Sequence, residues 1–411
     1  MKSDLGIIID ISKKNSLSFL DKKINIFSKY LGKIDVIDVN KITKSKKNII
    51  CNNNKINLLR PNNINELKKI LSKKNYVLYY CIGTTFKYFK VNHLLSRAKI
   101  KKFVISDLGY NPENFNYYKR NFYQKIKIFI NIRAEYYVKR ILILMNIYPK
   151  IDFFFESSQY IIDAINKGVS KKILKYFSFL NFSYYKKVIK INSKHVTNEK
   201  NLITNDYIVL IDSLGLEHQD FILREGKPTK QIVDSYYNKL NLLLKKLENT
   251  YKKKVIICLH PKNNFSLRRK DYKNFKCAKF QTEKYINRAF LVLFFESSSI
   301  IQAVYLKKKI LSLQGSIMGD YLNARAKLYS KSLGLSVFNI DSLNLQTFVD
   351  NKKSFIRNLE LSIKNYNQYI NKNILVNKYF LGAEQVLIYL KKHVNLQIPL
   401  NGSDLKNKKN C

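Results

Sequence analysis

Three short segments in the second half of the chain hold side chains suited to a phosphorylated ligand. The first is VIICLHPK, in which His260 and Pro261 end an apolar run. Ligands of open α/β sheets bind outside the carboxyl ends of the strands, so a histidine there faces the crevice, and the proline stops the strand and fixes the turn that aims the imidazole. A lone histidine can equally be structural. The second segment is FFESSSIIQA, where Ser297, Ser298 and Ser299 follow an apolar run and open a helix-like stretch. Free backbone N–H groups and the positive dipole end suit a phosphate there, and the hydroxyls add donors; a serine in that place can also serve only as an N-cap. The third is QTEKYI, whose Glu283 is placed to accept hydrogen bonds from ribose hydroxyls, as acidic residues do in nucleotide folds, or is simply a solvated surface acid. Glu283 follows His260 by 23 positions and Ser297 follows it by 37. That order sets the three groups at successive strand ends of one sheet and describes a nucleotide mono- or diphosphate pocket. Asp212, Glu217 and His218 in LIDSLGLEHQD also follow a strand-like run and could touch a ligand. Ordinary solvated charges in a hinge-proximal loop are the preferred reading for them.

The elements that must position these groups are legible as alternation. Short β-branched and aromatic runs recur at 5–11, 34–39, 76–83, 102–109 and 151–158, and continuous apolar runs of this length suit strands buried on both faces. The spacers, such as 65–74 and 118–145, carry helix-like apolar spacing, which predicts a parallel α/β layer. After the polar, aperiodic stretch 191–206 the pattern restarts at 207–213, with a helix-like segment at 234–253 and further runs at 255–260, 290–299, 309–313 and 335–341. The expected organisation is two Rossmann-like domains with parallel sheets and a cleft between them: residues 1–195 on the acceptor side and 196–342 on the nucleotide side. Helices follow at 343–396, then a polar tail at 397–411 expected to be disordered. FFESS occurs at 154–158 and again at 294–298, which fits one similar strand-turn-helix unit per half and is also within reach of chance.

Composition narrows the class. With 411 residues, 46% apolar and 13% aromatic, the chain has material for two or three folded domains and is not disordered as a whole. The 75 Lys and Arg against 29 Asp and Glu give a net charge of +46, so partners should be anionic. Heavy use of Lys, Asn, Ile and Tyr also fits nucleotide bias of an AT-rich genome, and charge alone does not choose. Zinc-finger spacing, an RNP-like motif and arginine-rich segments are all lacking, which argues against nucleic acid as the partner. Cys51, Cys81, Cys258, Cys277 and Cys411 form no C-x-x-C pair, so a reducing, cytoplasmic setting is expected. No signal peptide or transmembrane segment is expected, leaving a soluble or peripheral protein. With no D-x-D pair at a strand end and no Cys/His cluster of ligand spacing, the expected chemistry needs no metal and no cofactor.

An apolar strand with His-Pro, then Thr-Glu, then an apolar strand with Ser-Ser, Ala303 in the next helix and KKIL at 308–311 together resemble a known family. The segment 207–341 is similar to the nucleotide-sugar half of bacterial capsule and lipooligosaccharide glycosyltransferases, particularly the sialyltransferase and polysialyltransferase group, which has the GT-B fold. The resemblance implies that His260, Ser297 and Ser298 hold the nucleotide phosphate and that Glu283 holds the ribose. It implies a CMP-sugar donor such as CMP-sialic acid, a glycan or glycolipid acceptor and transfer with inversion. Family members carry an acidic pair before a glycine in the first domain, the second acid being the base; the nearest match is SDLG, with Asp107 as base, Ser106 replacing one acid and Leu108 intervening. Another nucleotide-sugar, an epimerase or a non-transferring relative stays open within the same fold. The surplus of Lys further suggests peripheral attachment to the anionic inner face of the cytoplasmic membrane.

Overall fold

A strand presents successive side chains to opposite faces, so an uninterrupted apolar run such as GIII, VLYY or LVLF is stable only where both faces are covered. The computed structural model describes residues 2–11, 18–44, 54–82, 86–106, 135–167, 185–193, 196, 204–213, 216, 221–222, 225–261, 263–342, 351–377 and 379–398. In it these runs form two parallel sheets with helices on both faces. The described residues up to 193 together with 376–398 form one unit, and 196–375 form the other.

The first sheet holds β1 (Asp4–Ile9), β2 (Ile34–Asp38), β3 (Ile56–Leu59), β4 (Tyr76–Cys81), β5 (Lys101–Ile105), β6 (Ile151–Glu156) and β7 (Tyr185–Lys190) in the order β3-β2-β1-β4-β5-β6-β7. Its helices are α1 (Ser18–Leu31), α2 (Ile64–Lys73), α3 (Phe89–Arg97), α4 (Glu135–Leu144) and α5 (Gln159–Lys167). The alternation of β1 divides the core: Leu5, Ile7 and Ile9 pack with Ile24 and Phe27 of α1, while Ile8 packs with Leu67 of α2 and Val91 and Leu95 of α3.

The second sheet holds β8 (Tyr207–Ile211), β9 (Lys254–Leu259), β10 (Lys276–Lys279), β11 (Ala289–Phe294), β12 (Lys309–Gln314) and β13 (Val337–Asn339) in the order β10-β9-β8-β11-β12-β13. This is the doubly wound order with its reversal between β8 and β11, the place where such sheets bind ligands. α6 (Lys230–Tyr251) is capped by Thr229, whose hydroxyl accepts from Ile232 N, and it buries Tyr236, Leu240, Leu244 and Leu247 at helical spacing against Ile208, Ile257 and Leu293. α7 (Phe265–Asp271), α8 (Thr282–Asn287), α9 (Ile300–Tyr305), α10 (Gly319–Leu333) and α11 (Lys352–Asn373) complete this unit.

The helical stretch expected at 343–396 divides between the units. α11 packs on β12 and α9, whereas α12 (Gly382–Val394) lies on the first sheet, where Val386, Leu387 and Leu390 are fully buried. Each such side chain contributes about 1.5–3 kcal/mol, which fixes where the helix belongs. Leu396 bridges to Ser3, and Gln397 N donates to Ser3 O at 2.8 Å; the rest of the expected tail, 399–411, lies outside the described residues. The two FFESS copies do end strands that run into helices, but β6 is three strands from β1 while β11 adjoins β8, so they are not equivalent positions of a repeated unit.

Asn192, buried after β7, ties α12 and its approach to the sheet. Its Oδ1 accepts from Val376 N and Asn377 N, its Nδ2 donates to the carbonyls of Asn377 and Phe380, and its own N–H donates to Gln385 Oε1. Asn192→Ala strands several of these buried groups and is expected to cost about 2–4 kcal/mol in denaturant unfolding; a loss below about 0.5 kcal/mol contradicts this role.

Candidate functional site

The carboxyl edge of the second sheet gathers the residues of interest. β9, β8 and β11 are neighbours whose registers align Cys258 with Ile211 and Ile211 with Phe294, so the three chains reach the edge in step. One to three residues further on come His260 after β9, Asp212 after β8 and Glu296 and Ser297 after β11. At about 4.8 Å per strand, the ends of β9 and β11 stand about 10 Å apart with β8 between them.

His260 is half-buried and Pro261 exposed. Their turn is stapled by Asn263: its N–H donates to His260 O at 2.9 Å, its Nδ2 donates to Asp212 Oδ2 at 2.7 Å, and its carbonyl accepts from Lys279 Nζ at 2.8 Å. Asp212 is only 5% exposed and also accepts from the buried Tyr272 hydroxyl at 2.9 Å. This corrects the expectation of an ordinary solvated charge: a carboxylate taken out of water survives only when hydrogen-bonded, and here its partners are the residues that shape the histidine turn. Glu217 and His218 lie outside the described residues. Asn263 Oδ1, itself buried, has no hydrogen-bond partner among the described residues. Burial pushes the thiol of Cys258 up to about 12, which makes it inert at neutral pH.

Ser297, Ser298 and Ser299 are half-buried between β11 and α9. Ser299 occupies the N-cap position without a side-chain cap bond; Ser297 Oγ instead accepts from Ser299 N at 3.3 Å. The N–H groups of Ile300 and Ile301 turn back onto Ser297 O and Ser298 O. Simple capping therefore engages one hydroxyl of the three, and those of Ser298 and Ser299 make no hydrogen bond among the described residues. Because α9 has six residues, hydroxyl donors rather than a long helix dipole are what this turn offers an anion.

Glu283 sits half-buried in the first turn of α8, beside the serine helix. The two helices are pinned by Gln302 of α9, whose Nε2 donates to Asn287 Oδ1 at 2.8 Å and to Glu283 O at 3.3 Å. On the serine side, the buried Glu296 is paired with Arg325 of α10, a fixed cation at this edge. Neither Asn263 nor the Glu296–Arg325 pair was singled out from sequence. The signal for Asn263 was its place three residues after His260 in a turn; Arg325 is adjacent only through the fold.

Asp107 lies outside the described residues. Ser106, just before it, is fixed by donating from its N–H to Phe155 O at 2.8 Å. Beside it Glu156 is buried, one oxygen accepting from Ser157 N and Ser158 N at 2.7 and 2.9 Å. Burial raises this carboxyl above its ordinary range, against the lowering effect of Ser106, Ser158 and Ser157. Asp10 accepts from Lys87 at 2.6 Å, Tyr88 at 2.9 Å and Thr43 at 3.2 Å, so it is engaged as an ion-pair partner. Among the described residues no three His, Cys, Asp or Glu side chains converge as a metal site.

No family model matches the chain, and no curated protein matches it significantly. Solved structures do. The wall teichoic acid polymerase TagF shares 11% identity over 96% of this chain and 90% of that one, with a TM-score of 0.53. A variant of the same polymerase gives 12%, 96% and 89%, with a TM-score of 0.54. The UDP-GlcNAc 2-epimerase of Neisseria meningitidis bound to UDP-GlcNAc, at 11% identity, 96% and 100% coverage and a TM-score of 0.45, is too distant to bear on the fold. The chain thus has a GT-B-like fold of two Rossmann-like units, each on a parallel sheet.

Asn263→Ala removes the amide that joins Asp212 to the histidine turn. It is expected to destabilise the chain by about 1–3 kcal/mol, more than Asn264→Ala at the exposed N-cap of α7, in urea unfolding. Equal losses for the two variants contradict the stapled turn.

Proposed function

We propose that the chain is a glycosyltransferase that binds a nucleotide-sugar at the carboxyl edge of its second sheet and passes the sugar to a glycan or glycolipid acceptor in the assembly of a surface polysaccharide. The observation that carries this reading is the set of His260, held in its stapled turn, the hydroxyls of Ser298 and Ser299, and Glu283, pinned beside the serine helix by Gln302, around a doubly wound switch point. Phosphate oxygens would accept from the imidazole and the serine hydroxyls, and the carboxylate of Glu283 would accept from the ribose hydroxyls. The neighbour TagF is named as a polymerase of a wall polymer, in keeping with a surface-polymer role.

The donor favoured is a CMP-activated nonulosonic acid such as sialic acid. In the reaction a base takes the acceptor hydroxyl proton, the oxygen attacks the anomeric carbon from the face opposite the phosphate, and the carbon–oxygen bond to CMP breaks with inversion. His260 and the serines stabilise the charge that develops on the departing phosphate. Asp107 is the proposed base, and no metal is required. Two side chains with separate duties give separable signatures.

A thermal-shift panel with CMP, CDP, UDP, GDP and dTDP tests the donor. At 100 times its dissociation constant a ligand stabilises by about 2.7 kcal/mol, so CMP is expected to raise Tm in the wild type and not in His260→Ala. A response to UDP or GDP instead changes the donor and readmits an epimerase, and no response to any nucleotide contradicts the site. Asp107→Asn is expected to keep the CMP response while lowering kcat about 10²–10⁴-fold. Undiminished turnover removes Asp107 from the mechanism.

A further inference from the structure

Helices α2 and α3 of the first unit enclose a groove of about 670 Å³ with two chemistries. Its floor is apolar, made by Ile64, Leu71, Phe89, Leu94 and Ile100. Its rim carries Lys68, Lys90, Arg97 and Lys99, all exposed, and among the described residues no acidic side chain lines it. The cations are therefore not neutralised from within the groove.

The apolar surface extends beyond it. Val138 and Ile141 of α4 and Met145 just past its end recur at helical spacing and are exposed, Met145 by 62%, with Leu144 exposed beside them. This stripe ends next to α3: Ser96 Oγ donates to Asn146 O at 2.5 Å, and the rings of Phe89 and Tyr148 approach to 6.3 Å. Phe89, on the groove floor, is itself more than a third exposed. Contiguous exposed apolar side chains bordered by unpaired-sign charge mark an interaction surface, and the combination of cations with protruding Phe, Leu, Ile and Met side chains is what an interfacial lipid-binding face requires. Among the described residues no helix is long and apolar enough to cross a membrane.

We propose that this α2–α3–α4 face docks on an anionic lipid surface, with headgroup phosphates at Lys68, Lys90, Arg97 and Lys99 and the apolar side chains at the level of the acyl-chain boundary. The occupant is a bilayer rather than a soluble phosphate compound because the cations border an apolar surface that runs past the groove along α4. The proposal goes beyond the transferase reading and is tested without turnover, so the failure of either leaves the other standing.

The test is co-sedimentation of the full chain with phosphatidylcholine vesicles containing about one-third phosphatidylglycerol, against pure phosphatidylcholine. Lys90→Glu/Arg97→Glu is compared with Lys327→Glu/Lys364→Glu, which changes the net charge equally through exposed positions on α10 and α11 of the other unit. The groove variant is expected to lose about tenfold or more in partitioning, and the distant control less than about threefold. Phe89→Ser/Met145→Ser is expected to weaken binding at a salt concentration that leaves the wild type bound, and millimolar inorganic phosphate is expected not to compete. Circular dichroism melts of each variant check that the fold is kept. Equal losses for the two charge variants reduce the effect to bulk charge and overturn the proposal, as does equal binding to neutral vesicles; competition by inorganic phosphate makes the groove a free-anion site and also overturns it.

Discussion

The requirement that both faces of a parallel sheet be buried governs the rest of the molecule. Side chains along β1, β8, β9 and β11 are committed alternately to one hydrophobic layer or the other, which leaves only the strand ends for polar chemistry. The carboxyl edge of the second sheet is therefore where His260, Asp212, Glu296 and the serines appear, each within a few residues of the last buried apolar position of its strand. A site made this way inherits rigidity from the core: the turn that holds His260 is attached to β8 through Asp212 and to β10 through Lys279.

A second constraint is the scarcity of acids. In a chain with 29 acidic against 75 basic residues, the buried carboxylates are each held by specific donors. Asp35 takes bonds from Lys74, Tyr76 and Asn57; burial pushes its carboxyl up, and those bonds outweigh this and hold it below the ordinary range. Glu384 of α12 accepts from Tyr30 of α1, and Asp152 accepts from Lys186. Removing a donor from such a carboxylate leaves a desolvated charge without its partner. Lys23, Lys102, Arg140, Arg268 and Lys308 are buried among the cations, whereas Lys68, Lys90, Arg97 and Lys99 stand exposed around the α2–α3 groove.

What could be read from sequence follows the same physics. Central strands were visible because their both-sided burial writes continuous apolar runs, as in IIC and LVLF. The strands that escaped notice, INLL of β3, YKKVIK of β7 and KCAK of β10, are all at sheet edges, where one side lacks a neighbour and the burial pattern is mixed. Candidate ligands on local motifs, such as His260 with Pro261 or the serine run, were legible because strand-turn-helix punctuation is local. The burial of Asp212 was not, since LIDS reads alike whether Asp212 meets water or Asn263 and Tyr272 from 51 and 60 residues away. The splitting of the last two helices between the units was hidden for the same reason: amphipathic spacing says that a helix has a buried face and is silent on which sheet receives it.

The proposed site holds a nucleotide phosphate at the carboxyl edge of the second sheet. A crystal structure of the chain soaked with CMP tests it most directly. The phosphate is expected within hydrogen-bond distance of the His260 imidazole and of the Ser298 or Ser299 hydroxyl, with the ribose towards Glu283. Ordered CMP elsewhere on the chain, with these side chains making no contact to it, would contradict it.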